Sequence, residues 1–279
     1  MKLLRVGASG AEKPAILAAD GSIRDLSATV HDFDAATLSP VGLERLAQLD
    51  PMSLPVAAPG RIGPCVPRPL NFICIGLNYA DHAAETGAAI PKEPIVFLKS
   101  LGAFCGPNDD VHIPRGSTKT DWEVELCIVI GSRASYVSEA GAMDHVAGYC
   151  IVNDVSEREY QIERGGTWDK GKGCDTFGPT GPWLVTKDEV PDPQKLAMFL
   201  DVDGKRMQTG STATMIFGVA KLVSYVSHFM TLHPGDLIST GTPPGVGLGM
   251  KPPVYLHAGQ TMRLGIAGLG EQTQRVLQG

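Results

Sequence analysis

Short apolar runs separated by glycine- and proline-rich turns dominate the chain. They predict strands at Lys2 to Val6, Ala15 to Ala18, Phe72 to Ile75, Ile95 to Leu98, Glu123 to Ile130, Val146 to Val152, Trp183 to Thr186, Phe199 to Val202, Asp236 to Ser239 and Met262 to Ile266. Helical spacing is rarer. Pro40 to Leu49 and Ala80 to Thr86 read as short helices, and Ile216 to Met230 as a longer one with Val219, Leu222, Val223, Val226 and Phe229 near a period of about 3.6 residues. The 33 glycines and 21 prolines are too many for a helical bundle and suit strands joined by tight turns. The expected fold class is therefore mixed and β-dominated (α+β).

The pattern also divides the chain. Residues 1–54 read as a small α+β unit with a turn at Asp20-Gly21. The stretch 55–70 holds Pro55, Pro59, Pro64, Pro67 and Pro69 and can propagate neither helix nor sheet, so it reads as a stiff connector. A larger domain over 71–279 follows, and no internal repeat is visible.

Composition narrows the function classes. With 43% hydrophobic and 19% charged residues the 279-residue chain has the balance of a globular protein, not a disordered one. Its net charge of -6 argues against a nucleic-acid partner, which needs a basic face to neutralise phosphates. The longest apolar stretches, Phe72 to Leu77 and Leu126 to Ile130, fall far short of the ~18 residues of a membrane span. MKLLRVGASG lacks an apolar signal core, so the expected location is the cytoplasm. Six scattered cysteines without a C-x-x-C pair indicate neither a disulfide framework nor a zinc knuckle.

Five segments carry candidate chemistry. In the strand around Glu123-Val124-Glu125, side chains two apart share a face, so two carboxylates project together. That is either a solvated acidic edge or a site whose repulsion a cation relieves. Asp154, where the apolar run Val146 to Val152 breaks, is either a cap or turn residue or a third oxygen ligand. Three carboxylates without Cys or His would favour Mg2+ or Mn2+ over zinc. His82 and Glu85, three apart on a predicted helix, are an ordinary i,i+3 contact or a carboxylate-oriented base. Lys170 and Lys172 stand among glycines in what reads as a loop, as solvated charge or as a cation for an oxyanion. Ser239 to Gly247 offers hydroxyls and N–H groups suited to a carboxylate, while the phosphate-binding motifs G-x-x-x-x-G-K-[ST] and G-x-G-x-x-G opening a helix are absent.

Taken together, Gly76-Leu-Asn-Tyr-Ala-Asp-His82 with Glu85, Glu123-x-Glu125, Asn153-Asp154-x-Ser156-x-Arg158-x-x-Gln161, Lys172-Gly-Cys-Asp-Thr-Phe and the Thr240-Gly-Thr-Pro run with Gly245-Val-Gly resemble the fumarylacetoacetate hydrolase family, from about Asn71 to near the C-terminus. The resemblance implies a distorted β-sheet roll, usually a homodimer, holding Mg2+, Mn2+ or Ca2+. It assigns the metal to Glu123, Glu125 and Asp154, the water-activating pair to His82 and Glu85, and the oxyanion-stabilising role to Lys172. It places Gln161 and Thr242 at the substrate, with Tyr79, Lys99 and Arg158 as neighbours.

The implied activity is hydrolysis of a carbon–carbon bond in a 2,4-diketo acid, an acylpyruvate or a 2,4-diketo-3-deoxy sugar acid, releasing pyruvate. Ureidoglycolate lyase is the runner-up, which would take a 2-hydroxy acid; oxaloacetate decarboxylation and isomerisation of hydroxy-diene dicarboxylates fit the same site. A non-catalytic, metal-binding dimerising module is the reading from a different class. A lid is expected from about Ala83 to Pro91.

Overall fold

The computed structural model describes residues 1–87 and 89–279. Its strands are β1 (Lys2–Val6), β2 (Lys13–Leu17), β3 (Ile23–Asp25), β4 (Phe72–Gly76), β5 (Ile95–Leu98), β6 (Phe104–Cys105), β7 (Val111–Ile113), β8 (Thr120–Asp121), β9 (Val124–Ile130), β10 (Val146–Asn153), β11 (Ser156–Glu157), β12 (Gly178–Thr186), β13 (Ala197–Val202), β14 (Lys205–Ser211), β15 (Leu237–Ser239), β16 (Thr261–Ile266) and β17 (Gly270–Gln278). The α-helices are short: α1 (Ala35–Leu38), α2 (Pro40–Ala47), α3 (Ala80–Thr86), α4 (Asp169–Lys172) and α5 (Val219–Ser227). None of the described helices is long and apolar enough to cross a membrane.

The main sheet runs β3-β2-β1-β12-β10-β9-β15-β4-β5, with β6 paired to β12. Strand β9 lies between β10 and β15 and is buried along its whole length, which explains its almost unbroken apolar run and disposes of the solvated-edge reading. Its two faces feed two cores. Val124, Leu126, Ile128 and Ile130 join one, and Cys127 and Val129 join the other with Phe72, Cys74 and Phe97.

The small unit 1–54 is continuous with this architecture. β1 pairs with β12, and Leu3, Ile16, Leu26, Phe33 and Leu38 sit in the core shared with Cys127 and Cys74. The connector is tied down where Arg61 bonds Glu12 at 2.8 Å and Asp109 at 2.6 Å. The proposed division at 55–70 thus separates stretches of sequence that share one sheet.

A second sheet, β14-β13-β16-β17-β7, covers the strands that carry the acids. Its β13–β14 hairpin turns at Asp203-Gly204, both with positive φ (50° and 76°), the geometry that suits Asp-Gly. Three inward glutamines dock this sheet on the first. Gln208 accepts from the Val124 N–H at 3.0 Å, Gln272 donates to the Ile151 and Gly181 carbonyls at 2.9 and 3.0 Å, and Gln274 accepts from the Asn153 amide at 3.0 Å. Asn153 in turn accepts from the Glu123 N–H at 3.1 Å. The backbones bearing Glu123 and Asp154 are therefore held by a buried amide lattice and not by hydrocarbon packing alone.

Two local expectations are corrected. The glycine-rich stretch expected as a loop forms helix α4, because Gly171 lets it approach the 157–161 segment closely: a Cβ there would lie 2.4 Å from the Glu157 carbonyl oxygen. The helix expected at Ile216 to Met230 is shorter, Val219–Ser227, starting after Gly218.

Candidate active site

The strands converge on a cavity of about 230 Å3 whose wall includes His82, Glu123, Glu125, Asp154, Arg158, Gln161, Lys172 and Thr242. Oxygens of Glu123, Glu125 and Asp154 lie within 4.8 Å of one another, and all three residues are buried. Glu123 and Glu125 share the cavity-facing side of the chain at β9, and Asp154 follows β10, with its N–H donating to the Glu123 carbonyl at 2.9 Å.

Their charge environments differ. Lys172 donates to Glu123 at 2.7 Å and to Asp154 at 2.8 Å, and Arg158 donates to Glu123 at 2.7 Å. Burial raises the Glu123 carboxyl, but these two cations outweigh it and hold it down at about 2. Lys99 pairs with the other Asp154 oxygen and with the Val155 carbonyl at 3.0 Å. Among the described residues Glu125 has only neutral donors, the Ser239 hydroxyl at 2.6 Å and the Gly241 N–H at 2.9 Å. Burial, then the Asp154 and Glu123 carboxylates, push its carboxyl well above the usual range. For Lys172 burial works against the ammonium, yet Asp154 and Glu123 prevail and keep it protonated.

This donor set fits a hard divalent cation. With Asp121, which takes the Arg158 Nε at 2.8 Å, four carboxylates face three basic side chains, and the least compensated acid, Glu125, completes the trio. A dication would relieve that repulsion and leave one positive charge for an anionic substrate. All-oxygen ligation favours Mg2+ or Mn2+ over zinc.

His82 and Glu85 face each other one helical turn apart on α3, with His82 Nδ1 at 3.1 Å from Glu85 Oε2. His82 is buried at the cavity wall, so this is not a surface contact. Glu85 is steadied from the far side by the Gly245 N–H, 3.1 Å from Oε1.

The run suited to a carboxylate holds the site's own acids. Gly241 binds Glu125, Gly245 binds Glu85, and the Gly247 and Leu248 N–H groups bind Asp121 at 2.7 and 3.0 Å. Glycine is required at 241 (φ +93°) and at 245 (φ +102°), where a Cβ would sit 2.0 Å from the Met207 carbonyl oxygen.

Gln161 and Thr242 line the cavity as expected. Gln161 accepts from Arg158 at 3.0 Å, and the Thr242 hydroxyl donates to the Val124 carbonyl at 2.9 Å. Tyr79 and Lys99 stand behind the wall. Tyr79 is fully buried with its hydroxyl on the Met198 sulfur at 3.4 Å, and Lys99 is spent on Asp154. Sequence reasoning missed Asp121, whose signal was its place in the same acidic run, two residues before Glu123. Part of the expected lid, Ala88, lies outside the described residues, and the rest is α3 and the segment after it.

The β-dominated fold thus presents a buried carboxylate trio, a candidate divalent-metal site, beside an imidazole held by a carboxylate. The model of the fumarylacetoacetate (FAA) hydrolase C-terminal family matches residues 71–277, and the chain belongs to this family. It is 65% identical over 277 residues to a Burkholderia cenocepacia protein with a provisional hydrolase name, covering 99% of this chain and 98% of that one. Among solved structures it is similar to a fumarylacetoacetate hydrolase from Exiguobacterium antarcticum, at 34% identity, TM-score 0.88 and full coverage of both chains. It is also similar to maleylpyruvate hydrolase from Sphingobium sp. SYK-6 in complex with manganese(II) and pyruvate, at 28% identity, TM-score 0.82 and full coverage of both.

Proposed function

We propose that this protein is a divalent-metal-dependent hydrolase that cleaves a carbon–carbon bond in a 2,4-diketo acid, an acylpyruvate or 2,4-diketo-3-deoxy sugar acid, to release pyruvate. The observation that carries the reading is His82, paired with Glu85, on the wall of the cavity that holds the carboxylate trio. A decarboxylase or isomerase has no need of an activated water, whereas a hydrolase does.

Glu123, Glu125 and Asp154 would hold Mg2+ or Mn2+, which when bound supplies Lewis-acid polarisation of a 2-oxo acid. Glu85 would fix the imidazole tautomer by taking the Nδ1 proton, so that Nε2 carries the lone pair that would accept a proton from water attacking the 4-carbonyl. Lys172 gives two of its three N–H donors to Glu123 and Asp154; the third would meet the alkoxide formed by that attack. Arg158, braced by Asp121 and Glu123, orients the Gln161 amide whose N–H2 would hold the substrate. The protein would work as a homodimer in the cytoplasm.

The test is incubation of the purified protein with Mg2+ or Mn2+ and acetylpyruvate, following loss of diketo absorbance and formation of pyruvate. Turnover that disappears with chelator supports the reading. Absence of turnover with diketo acids, alongside decarboxylation of oxaloacetate or breakdown of ureidoglycolate, would replace it.

A further inference from the structure

The cavity wall is chemically two-sided. Beyond the polar cluster described above, its large side chains are mainly apolar, among them Leu77, Phe97, Ile162, Trp168, Val246 and Leu248. Trp168 packs edge-on against Phe97, with centroids 5.4 Å apart, and lies so close over Gly76 that a Cβ there would come within 2.3 Å of its ring. It is a fixed shelf. Ile162, the residue after Gln161 on a single π turn, is an apolar side chain left 51% exposed.

The basic groups of the wall are paired with the site's own acids, and the remaining Lys172 N–H is assigned to the reacting oxygen and not to the tail. Arg158 and Lys172 are the only Lys or Arg residues of the described wall. The Arg158 nitrogens bond Asp121, Gln161 and Glu123, and Lys172 bonds Glu123 and Asp154. On the segment that bears Ile162, Arg164 is paired with Glu159 at 2.6 Å, Lys119 with Glu163 at 2.5 Å, and Lys170 with the Arg164 carbonyl. A carboxylate arriving beside Trp168 and Ile162 would lose hydration without gaining a cation among the described wall residues to offset its charge.

We propose that the substrate's variable group, R in R–CO–CH2–CO–COO−, is small, uncharged and apolar, a short alkyl or single aryl group against Trp168, Ile162 and Leu248. Tails that end in a carboxylate or carry several hydroxyls are disfavoured. The cavity volume, below the ~300 Å3 at which drug-sized pockets begin, sets the same limit on size. This inference rests on the diketo acid hydrolase reading and narrows its substrate class.

The test uses the full chain loaded with Mn2+, and its readouts are turnover and binding. First, kcat/KM is compared for acetylpyruvate and benzoylpyruvate against maleylpyruvate and a 2,4-diketo-3-deoxy sugar acid. The neutral apolar tails are expected to lead by at least ~10-fold, the scale of an uncompensated polar group in an apolar site. Second, calorimetry compares 2-oxopentanoate with 2-oxoglutarate, which differ by a terminal methyl in place of a carboxylate, and the methyl ligand is expected to bind at least ~10-fold tighter. Ile162→Lys, checked for an unchanged melting profile, should shrink or reverse both ratios.

Equal or better handling of maleylpyruvate and 2-oxoglutarate by the unaltered protein would overturn this inference while the hydrolase reading stands. Tighter binding of 2-oxopentanoate without turnover of any diketo acid would retain the apolar subsite and overturn the hydrolase. Binding of neither ligand would overturn both.

Discussion

Replacing Glu85 by glutamine isolates the part of the site that separates hydrolysis from its rivals. Size and backbone contact are conserved, since the glutamine Oε1 can still accept the Gly245 N–H that Glu85 takes at 3.1 Å. Two things change at His82. The charge-assisted bond at 3.1 Å is lost, worth roughly 1.5–3 kcal/mol, or about 10- to 100-fold. In addition, with Oε1 on Gly245, the amide N–H2 faces Nδ1, which moves the imidazole proton to Nε2 and occupies the nitrogen that must accept from water. The full loss approaches that of general-base catalysis itself, so kcat should fall by ~10²- to 10⁴-fold. KM for acetylpyruvate should hardly move, because Glu85 touches neither the carboxylate trio nor the expected position of the 2-oxo acid. The assay is initial-rate loss of acetylpyruvate at saturating Mg2+, with the metal-induced rise in melting temperature as control. A variant with kcat within about threefold of the original would refute the assignment, given the expected ~10²-fold minimum.

Other consequences follow from the fold and its electrostatics. Gln272→Leu removes the donor shared by the Ile151 and Gly181 carbonyls and should destabilise the protein by about 2–4 kcal/mol in urea unfolding, since orphaned buried acceptors cost ~1–3 kcal/mol each. A loss below 0.5 kcal/mol, well under that ~1 kcal/mol minimum for one acceptor, would contradict the docking role given to the glutamines. Asp34 caps α1 through the Thr37 N–H at 2.9 Å, and that bond holds its carboxyl below the ordinary value. A lowered folded-state pKa contributes stability that is present above the unfolded value and lost as pH falls. Asp34→Ala should therefore cost ~1 kcal/mol at pH 7 and less at pH 3, and a cost that grows on acidification would contradict this.

Where an element has an apolar face, the sequence already shows it: strands β1 and β5 and helix α3 match the pattern to the residue, and β9 and β10 within one. Strand β17 stayed invisible because its inward positions include Gln272 and Gln274, polar side chains buried to bond backbone across the sheets. Strand β14 was hidden likewise, with Gln208 its buried residue. At the site, spacing was enough to pair Glu123 with Glu125 and His82 with Glu85, because both pairs sit on one local element. Asp154, Lys172 and Arg158 come from other segments: the break in the apolar run offers Asp154 as a cap or as a third ligand, and only the resemblance to a family favours the ligand, prefers Lys172 to Lys170 and adds Arg158. The N–H groups of the hydroxyl- and glycine-rich run do bind carboxylates, those of Glu125, Glu85 and Asp121. Tyr79 shares a motif with the site and Lys99 its neighbourhood, which sequence cannot distinguish from touching its cavity.

Calorimetric titration of Mn2+ into metal-stripped protein, run beside Glu125→Gln, tests the central claim most directly. Glutamine can keep the bonds from Ser239 and Gly241, so the fold should survive without one charged oxygen of the trio. One ion per chain is predicted for the unaltered protein, with at least ~100-fold weaker binding in the variant, beyond the 10–100-fold that outer-shell changes cause. Equal affinity and stoichiometry in the two proteins would show that the metal, and the chemistry assigned to it, resides elsewhere.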